Sequence, residues 1–213
     1  MKICGVTRPD AIEAAAAAGA EAVGFVFAPS PRQLTRREAA GLARGAPPSL
    51  KRVGVFAAKL PATIGELVEE LALDWVQAYA TAWEASSALV SRPRLLPVFR
   101  DRPGFEDALE AFLAASAPDR PLVLFEGPAS GRGAPPDWEH AARAARRTPL
   151  VLAGGLNPGN VRAGILQVRP AMVDVSSGVE SSPGLKDPRR IHAFVAEVRA
   201  AEQQLAEQGG DPR

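Results

Sequence analysis

Two short loops rich in glycine and serine are the first candidates for chemistry in this sequence. Each follows an apolar run that is predicted to be a strand: Gly154 and Gly155 follow residues 150–153, and Ser176, Ser177 and Gly178 follow residues 172–175. Glycine lets backbone N–H groups approach an oxyanion closely, and serine hydroxyls add further donors. The glycines could instead serve only tight turns, but two such loops after successive strands favour a phosphate site.

A thiol and a carboxylate stand at the ends of two other apolar runs. Cys4 ends the first run of the chain, and Glu126 follows the run 122–125. Both types of group take part in proton transfer and covalent catalysis. A single cysteine is nevertheless more often a small buried apolar residue. Glu126 could equally act as a cap or pair with a nearby arginine such as Arg132. Taken alone, neither residue decides between a structural and a catalytic role.

The other residues that often carry chemistry give no further site. His140 and His192 fall in predicted helices, and neither has a second ligand at metal-binding spacing. We therefore expect no metal, no other cofactor and no histidine catalyst. The arginine pairs at 36–37 and 146–147 are interpreted as solvated helix ends rather than as a nucleic-acid surface.

Composition limits the partners of the chain. Its 25 lysines and arginines nearly balance 24 aspartates and glutamates, so no overall field is available to hold a nucleic acid. Cys4 is the single cysteine, which excludes an internal disulfide and suits a reducing compartment. The apolar stretch 11–29 has alanine at nine of its 19 positions and contains Glu13 and Glu21, so we predict neither a signal peptide nor a membrane span. We expect a cytoplasmic protein.

Eight short β-rich runs, each followed by a segment of helical character, organise the chain. The predicted strands are residues 2–4, 22–27, 51–56, 75–78, 95–99, 122–125, 150–153 and 172–175. Asp10 is expected to cap a helix over 11–18, Pro61 to open one over 62–71, and the Asn157-Pro158 pair to begin one that runs through Val168. Alternating β and α units predict a parallel sheet buried on both faces.

Eight such units predict an α/β fold, a (β/α)8 TIM barrel in one domain over residues 1–205, followed by a polar tail at 206–213. An open doubly wound sheet is the alternative, but the residues after the first strand lack its glycine fingerprint. In a barrel, the carboxyl ends of the strands carry the active site. That rule adds four side chains to the candidates named above: Arg32, Gln77, Tyr79 and Asp174.

Several segments resemble the phosphoribosylanthranilate isomerase family. The opening Lys2-Ile3-Cys4-Gly5 is similar to its amino-terminal signature, and residues 24–27 with 30–32 and residues 52–56 are similar to its second and third strands. Residues 152–158 and 173–180 resemble its last two strand ends, and Pro183-Gly184 with Lys186-Asp187 continues the likeness. The matches keep the family's order along almost the whole chain and are weakest at about 60–120.

The resemblance implies an Amadori rearrangement of N-(5-phosphoribosyl)anthranilate in tryptophan biosynthesis, without a cofactor. Cys4 matches the family's general base, and Glu126 matches the position of its general acid. The resemblance therefore implies a Cys4 thiol whose pKa is lowered, so that the thiolate forms more readily, and a Glu126 carboxyl whose pKa is raised by partial burial. Arg32 matches an arginine that helps to hold the substrate. Gln77, Tyr79 and Asp174 match polar positions of the same site.

Three departures from the family pattern fall on the predicted catalytic face. Glu126 replaces an aspartate, and its extra methylene moves the carboxyl by roughly 1.5 Å, a displacement that can cost about a hundredfold in rate. Tyr79 stands where the family has the histidine of Gln-Leu-His-Gly. The loop 130–138 replaces a Gly-Gly-Thr-Gly sequence.

The departures leave two further readings open. The chain could act on another phosphorylated aminosugar, or it could be a slow or non-catalytic phosphosugar binder. In each case the expected partner is a small phosphosugar, with no nucleic acid and no membrane, and the chain is expected to be a monomer or a homodimer.

Overall fold

A computed structural model describes residues 1–57, 60–82, 94–116, 118, 120–128 and 135–209. Eight parallel strands form a closed barrel in the order of the sequence, so the first strand pairs with both the second and the eighth. The strands β1 to β8 span Lys2–Cys4, Ala22–Val26, Lys51–Val55, Trp75–Tyr79, Arg94–Arg100, Val123–Glu126, Leu150–Leu152 and Met172–Val175. The predicted fold class is confirmed, and each predicted strand lies within one or two residues of an observed one.

Seven helices lie among the described residues and surround the barrel. The helices α1 to α7 span Pro9–Ala18, Arg36–Gly45, Ile64–Leu71, Phe105–Ser116, Trp138–Ala145, Val161–Val168 and Pro188–Glu207. The connection from β4 to β5 is described only at Ala80–Ala82, a single turn of 3-10 helix. Helix α7 continues to Glu207, two residues past the predicted end of the barrel domain. No helix of the described residues is long and apolar enough to cross a membrane.

The predicted start of α1 is wrong. The sequence predicts a helix from residue 11 capped by Asp10, but the helix begins two residues earlier, at Pro9, with Arg8 in the cap position and no side-chain cap. Proline suits the first helical residue because its φ is already helical and it has no N–H group that would be left unpaired there. Asp10 instead lies in the first turn, where its charge is favourable.

Helices α3 and α6 begin later than predicted. The Ile64 N–H donates to the Pro61 carbonyl (3.0 Å), so Pro61 opens a tight turn that precedes α3. Before α6, the Asn157 side chain accepts from the Gly159 N–H (2.8 Å) and forms a local turn. The helix itself starts at Val161. In both places, the residues predicted to form the first turn of the helix form a separate turn before it.

Alternation of side chains along the strands separates two cores. One fills the barrel and contains Leu96, Val98, Leu124, Val151 and Ala153. The other lies between the strands and the helices and contains Ile3, Val23, Phe25 and Phe125 among many others. Because successive strand residues point to opposite faces, Lys2 and Cys4 share the inner face of β1 and Ile3 takes the outer one.

A short antiparallel hairpin follows β8 and covers one side of the barrel mouth. Its strands are Glu180–Ser182 (β9) and Leu185–Lys186 (β10). Asp187 then caps α7 by accepting from the Arg189 N–H (2.9 Å). The hairpin places the buried side chains of Glu180 and Lys186 beside the carboxyl ends of β1 and β8.

Candidate active site

A cavity of about 350 Å³ opens at the carboxyl ends of the barrel strands. Every predicted site residue except Gly178 lines it: Cys4, Arg32, Gln77, Tyr79, Glu126, Gly154, Gly155, Asp174, Ser176 and Ser177. The barrel therefore brings together residues from the first to the last strand, as the strand-end rule predicts.

The loop glycines have distinct structural roles. Gly154 and Gly155 have φ values of 88° and 63°, the left-handed region that side chains disfavour. Gly178 lies away from the cavity, and a Cβ atom there would stand 1.9 Å from the carbonyl oxygen of Leu156. Its missing side chain lets the loop after β8 pack against the loop after β7.

The two serines differ in what their hydroxyls can do. Ser176 Oγ donates to the Cys4 carbonyl oxygen (3.1 Å), while its own carbonyl and hydroxyl oxygens accept from Lys186 Nζ (3.1 and 3.3 Å). The Ser176 hydroxyl proton therefore tethers β1 to the loop after β8. Ser177 is exposed at the cavity, so its hydroxyl is the more accessible of the two to a ligand.

The thiol of Cys4 lies at the base of the cavity with only 7% of the residue exposed. Burial raises its pKa, and the negative charge of Asp174 adds to this rise. The positive charges of Lys2 and Lys186 act in the opposite direction but do not cancel it. Burial and the two lysine cations therefore act on the pKa of this thiol in opposite directions.

Lys2 is held beneath this thiol inside the barrel. Its Nζ donates to Gln77 Oε1 (2.7 Å) and to Asp174 Oδ1 (3.0 Å). Burial lowers the pKa of Lys2, but the charges of Asp174 and Cys4 outweigh burial and raise it overall. Gln77 and Asp174, predicted as substrate contacts, thus line the cavity and also fix this lysine.

Arg32 is part of a second buried network. Its Nε and Nη2 atoms donate to the two carboxylate oxygens of Glu180 (2.7 and 2.8 Å), and Lys186 Nζ donates to Glu180 Oε1 (2.7 Å). The hydrogen bond to Glu180 raises the pKa of Arg32, whereas burial lowers that of Lys186. Arg32 therefore faces the cavity as a cation whose direction is set by Glu180.

Tyr79 and Glu126 are joined by Arg100, the last residue of β5. Arg100 Nε donates to Glu126 Oε1 (3.1 Å), and Arg100 Nη2 donates to the Tyr79 hydroxyl. The guanidinium carbon also lies 4.4 Å from the centre of the Tyr79 ring, within the range of a cation–π contact. Arg132, the partner proposed from the sequence for Glu126, lies outside the described residues, as does most of the loop after β6.

Both histidines lie on helices, as predicted from the sequence, and neither lines the cavity. His140 lies in α5, with Nδ1 2.7 Å from Asp101 Oδ1, and His192 lies exposed on α7. Across the part of the chain that the structure describes, no group of three or more His, Cys, Asp or Glu side chains is arranged to hold a metal ion.

Comparison with known proteins places this site in a family. The sequence model of N-(5'-phosphoribosyl)anthranilate (PRA) isomerase matches residues 1–197. The chain belongs to this family. The isomerase of a Pseudomonas aeruginosa strain is 40% identical over 205 residues, which cover 94% of this chain and 95% of that relative.

Solved structures of PRA isomerases are similar over nearly the whole barrel. The enzyme from Thermotoga maritima gives a TM-score of 0.82 at 33% identity, covering 93% of this chain and 98% of its own. A PRA isomerase in complex with reduced 1-(o-carboxyphenylamino)-1-deoxyribulose 5-phosphate gives 0.79 at 33% identity, covering 93% and 97%. Monomers generated from the dimeric Thermotoga maritima enzyme give 0.78 at 32% identity, covering 93% and 97%.

Four charged residues of the site were not predicted from the sequence to belong to it. Lys2 had a signal, because alternation along β1 puts it on the same face as Cys4. Arg100 also had one, since it ends a strand. Glu180 and Lys186 were quoted only as part of the family likeness, and their spacing in sequence gives no hint that they meet Arg32.

Proposed function

We propose that this chain is a phosphoribosylanthranilate isomerase. It converts N-(5-phosphoribosyl)anthranilate to 1-(2-carboxyphenylamino)-1-deoxyribulose 5-phosphate, an aldose–ketose isomerisation of tryptophan biosynthesis. The observation that carries the proposal is that Cys4 and Glu126, a thiol and a carboxyl group, line one cavity together with the glycine and serine loops after β7 and β8.

The reaction needs one proton added and one proton removed. A general acid protonates the furanose ring oxygen, which opens the ring, and a general base removes the proton from C2. The electron pair of the broken C2–H bond stays within the substrate, so no oxidant or reductant is consumed. Two groups of opposite initial protonation state are therefore sufficient.

Cys4 is the proposed base. Its pKa is raised by burial, and the cations of Lys2 and Lys186 limit that rise. Both lysines are almost fully buried, so their charges act on the thiol through a poorly screened medium. The two cations stabilise the thiolate, which is the form that must be present before it accepts the C2 proton and becomes the thiol.

Glu126 is the proposed acid. It ends β6, and only 13% of its side chain is exposed. Its extra methylene relative to the family's aspartate is accommodated in a site where Arg100 contacts the carboxylate. Arg32, Gln77, Tyr79 and Asp174 are proposed to hold the substrate around these two groups.

The phosphate group is proposed to bind at the loops after β7 and β8. Gly154 and Gly155 offer backbone N–H groups without side chains that would block an oxyanion. Ser177 adds an accessible hydroxyl, whereas the Ser176 hydroxyl is already bonded to the Cys4 carbonyl. Gly178 contributes by allowing the two loops to pack closely.

Direct turnover tests the proposal. Purified protein is incubated with freshly made phosphoribosylanthranilate, and loss of the substrate's fluorescence is followed. Turnover supports isomerase activity. Tight binding without turnover favours a phosphosugar binder, and the absence of both favours another substrate.

Three variants test the assigned roles. We expect Cys4→Ser and Glu126→Gln each to lower kcat by roughly 10²- to 10⁴-fold, with a smaller effect on KM. Glu126→Asp distinguishes two possibilities. Its kcat is maintained or raised if the rest of the site still fits the family's aspartate, and falls if the surrounding residues have adapted to glutamate. Glu126→Gln within about threefold of the parent would remove Glu126 as the acid.

We also propose that the enzyme needs no metal or other cofactor, acts in the cytoplasm and is a monomer or a homodimer. Chelator treatment is expected to leave activity unchanged, and a large loss that zinc or magnesium restores would contradict this. The near balance of charge supports a small-molecule partner over a nucleic acid.

A further inference from the structure

Two of the departures from the family pattern meet on one side chain. Tyr79 stands in place of a histidine and Glu126 in place of an aspartate, and Arg100 bonds to both. The three residues end the adjacent strands β4, β5 and β6. In the strand register, Arg100 lies directly opposite Glu126, and Tyr79 lies opposite Val98 on the other side of β5.

The three side chains form a partly buried unit at the cavity wall. The Arg100 side chain is 31% exposed and that of Glu126 13%. Tyr79 holds the guanidinium at two points, through its hydroxyl and through the face of its ring. The guanidinium is therefore held at one end by the phenol and directs Nε toward the carboxylate.

We propose that Arg100 is a positioning residue for Glu126, and that Tyr79 keeps Arg100 in place. The inference rests on the proposed function, because it assigns a partner to the proposed acid. It also gives one explanation for both departures, since the longer carboxylate reaches a guanidinium that a tyrosine holds.

The contact has a defined effect on proton transfer. A guanidinium beside a carboxyl group favours its ionised form. Arg100 therefore reduces the fraction of Glu126 that carries a proton at a given pH. It also stabilises the carboxylate that remains after the proton has moved to the ring oxygen. The same contact restricts the orientation of the longer Glu126 side chain, which helps to align its carboxyl group with the substrate.

Other charged groups near Glu126 must stay constant in a test. Cys4, Arg32 and Asp174 line the same cavity. Asp101 follows Arg100 in the chain, but its carboxylate accepts from the Asp137 N–H (2.6 Å) and contacts His140. None of these residues is altered in the variants below.

The direct measurement is the titration of the Glu126 carboxyl carbon by NMR, in protein labelled with ¹³C at glutamate carboxyl groups. The Glu126 resonance is assigned by its loss in Glu126→Gln. In Arg100→Gln we expect the titration midpoint to move to higher pH by roughly one unit or more. Tyr79→Phe should move the midpoint in the same direction by less, because the guanidinium loses its hydrogen bond to the hydroxyl but keeps its contact with the ring.

Arg94→Gln is the matched control. Arg94 is exposed and begins β5, so this variant removes the same charge from the same strand at the opposite end of the barrel. Six residues of strand span about 20 Å, well beyond the Debye length of about 8 Å at physiological salt. The Glu126 midpoint should stay where it is in the parent.

Kinetics separate the charge of Arg100 from its geometry. In Arg100→Gln, the high-pH limb of the pH profile of kcat/KM should move to higher pH together with the NMR titration midpoint. Arg100→Lys keeps the charge but loses the planar fork, so it should leave the midpoint near that of the parent and lower kcat by roughly tenfold, with less change in KM.

An unchanged Glu126 midpoint in Arg100→Gln overturns the proposal, as does an equal shift in the Arg94→Gln control. The NMR comparison does not need turnover. If the parent fails to isomerise phosphoribosylanthranilate, the proposed function is lost, while the coupling between Arg100 and Glu126 is still decided by the titration.

Discussion

The buried carboxylate of Glu180 provides the sharpest test of how the site is held together. Glu180 accepts two hydrogen bonds from Arg32, one at each carboxylate oxygen, and one from Lys186 at Oε1. The side chains of Glu180, Arg32 and Lys186 are 5%, 8% and 0% exposed, respectively. Glu180→Gln keeps the shape and one acceptor oxygen but removes the negative charge. Two buried cations then face each other without a counter-charge.

The size of the effect follows from this burial. Removing one partner of a buried ion pair costs about 3 to 5 kcal/mol, and the retained amide oxygen places Glu180→Gln toward the lower end. For a chain of this length, about 3 kcal/mol corresponds to a fall in Tm of roughly 6 to 12 °C. Thermal and urea unfolding, both followed by circular dichroism, measure the loss. KM should also rise, because Arg32 loses the bidentate bond that directs it.

The dependence on pH has a definite sign. Burial raises the pKa of Glu180, but the hydrogen bonds and charges of Arg32 and Lys186 lower it by more. A lowered pKa means that the carboxylate stabilises the fold above the ordinary titration range of glutamate and loses this effect as the pH falls through its folded-state pKa. The stability deficit of Glu180→Gln should therefore be largest near neutral pH and shrink in acid.

An exposed ion pair serves as the control. Arg143 Nε lies 2.8 Å from Glu106 Oε1, with 43% and 49% of the two side chains exposed. Glu106→Gln should leave the Tm close to that of the parent, because exposed ion pairs contribute little to stability. If Glu180→Gln unfolds within about 2 °C of this control, the buried network does not stabilise the barrel mouth as argued.

Three further predictions concern the thiol and the loops. Because Cys4 is the single cysteine, iodoacetamide labelling reports on it alone. Burial raises its pKa, so the labelling rate should still be rising with pH above neutrality. Lys186→Met should move the midpoint of this pH dependence to higher pH, and an unmoved midpoint would show that Lys186 does not act on the thiol. Gly155→Val should raise KM strongly in protein that remains folded by circular dichroism, because the valine side chain fills the space proposed for a phosphate oxygen. The φ of 63° at this position also disfavours any side chain. Unchanged affinity for the phosphorylated substrate would contradict a phosphate site at this loop. Gly178→Ala should lower stability by about 1 to 3 kcal/mol, since its Cβ meets a carbonyl oxygen at 1.9 Å, whereas Gly41→Ala, with no atom within 4 Å, should not destabilise the protein.

The helix starts show where local sequence patterns are insufficient even for secondary structure. Asp10, Pro61 and Asn157 are all residue types that begin helices, yet the three helices start elsewhere. Each of these residues can form more than one local structure: an aspartate fits a cap or the first turn, and an asparagine fits a cap or a separate turn. Their types therefore predicted that a helix begins nearby, but not at which residue.

The sequence alone determined the barrel and the identity of its strand ends. Strands β1 and β8 were predicted to the residue, because short apolar runs between turn residues carry a strong local signal. In a parallel barrel, all strands carry their carboxyl ends to one face, so residues that end strands converge without any knowledge of their contacts. This is why Cys4, Gln77, Glu126 and the glycine loops could be assigned to one site before any distance was known.

Only the tertiary structure decided which charged groups face one another there. Lys2 bonds to Asp174 across 172 residues of sequence, and Arg32 bonds to Glu180 across 148. Arg100 lies between Tyr79 and Glu126 because β5 pairs with β4 on one side and β6 on the other. Periodicity determines which face of a strand a side chain takes, but closure of the barrel and the register between strands determine its partner. The charge state of each group depends on that partner and on its burial, and both arise only when the chain is folded.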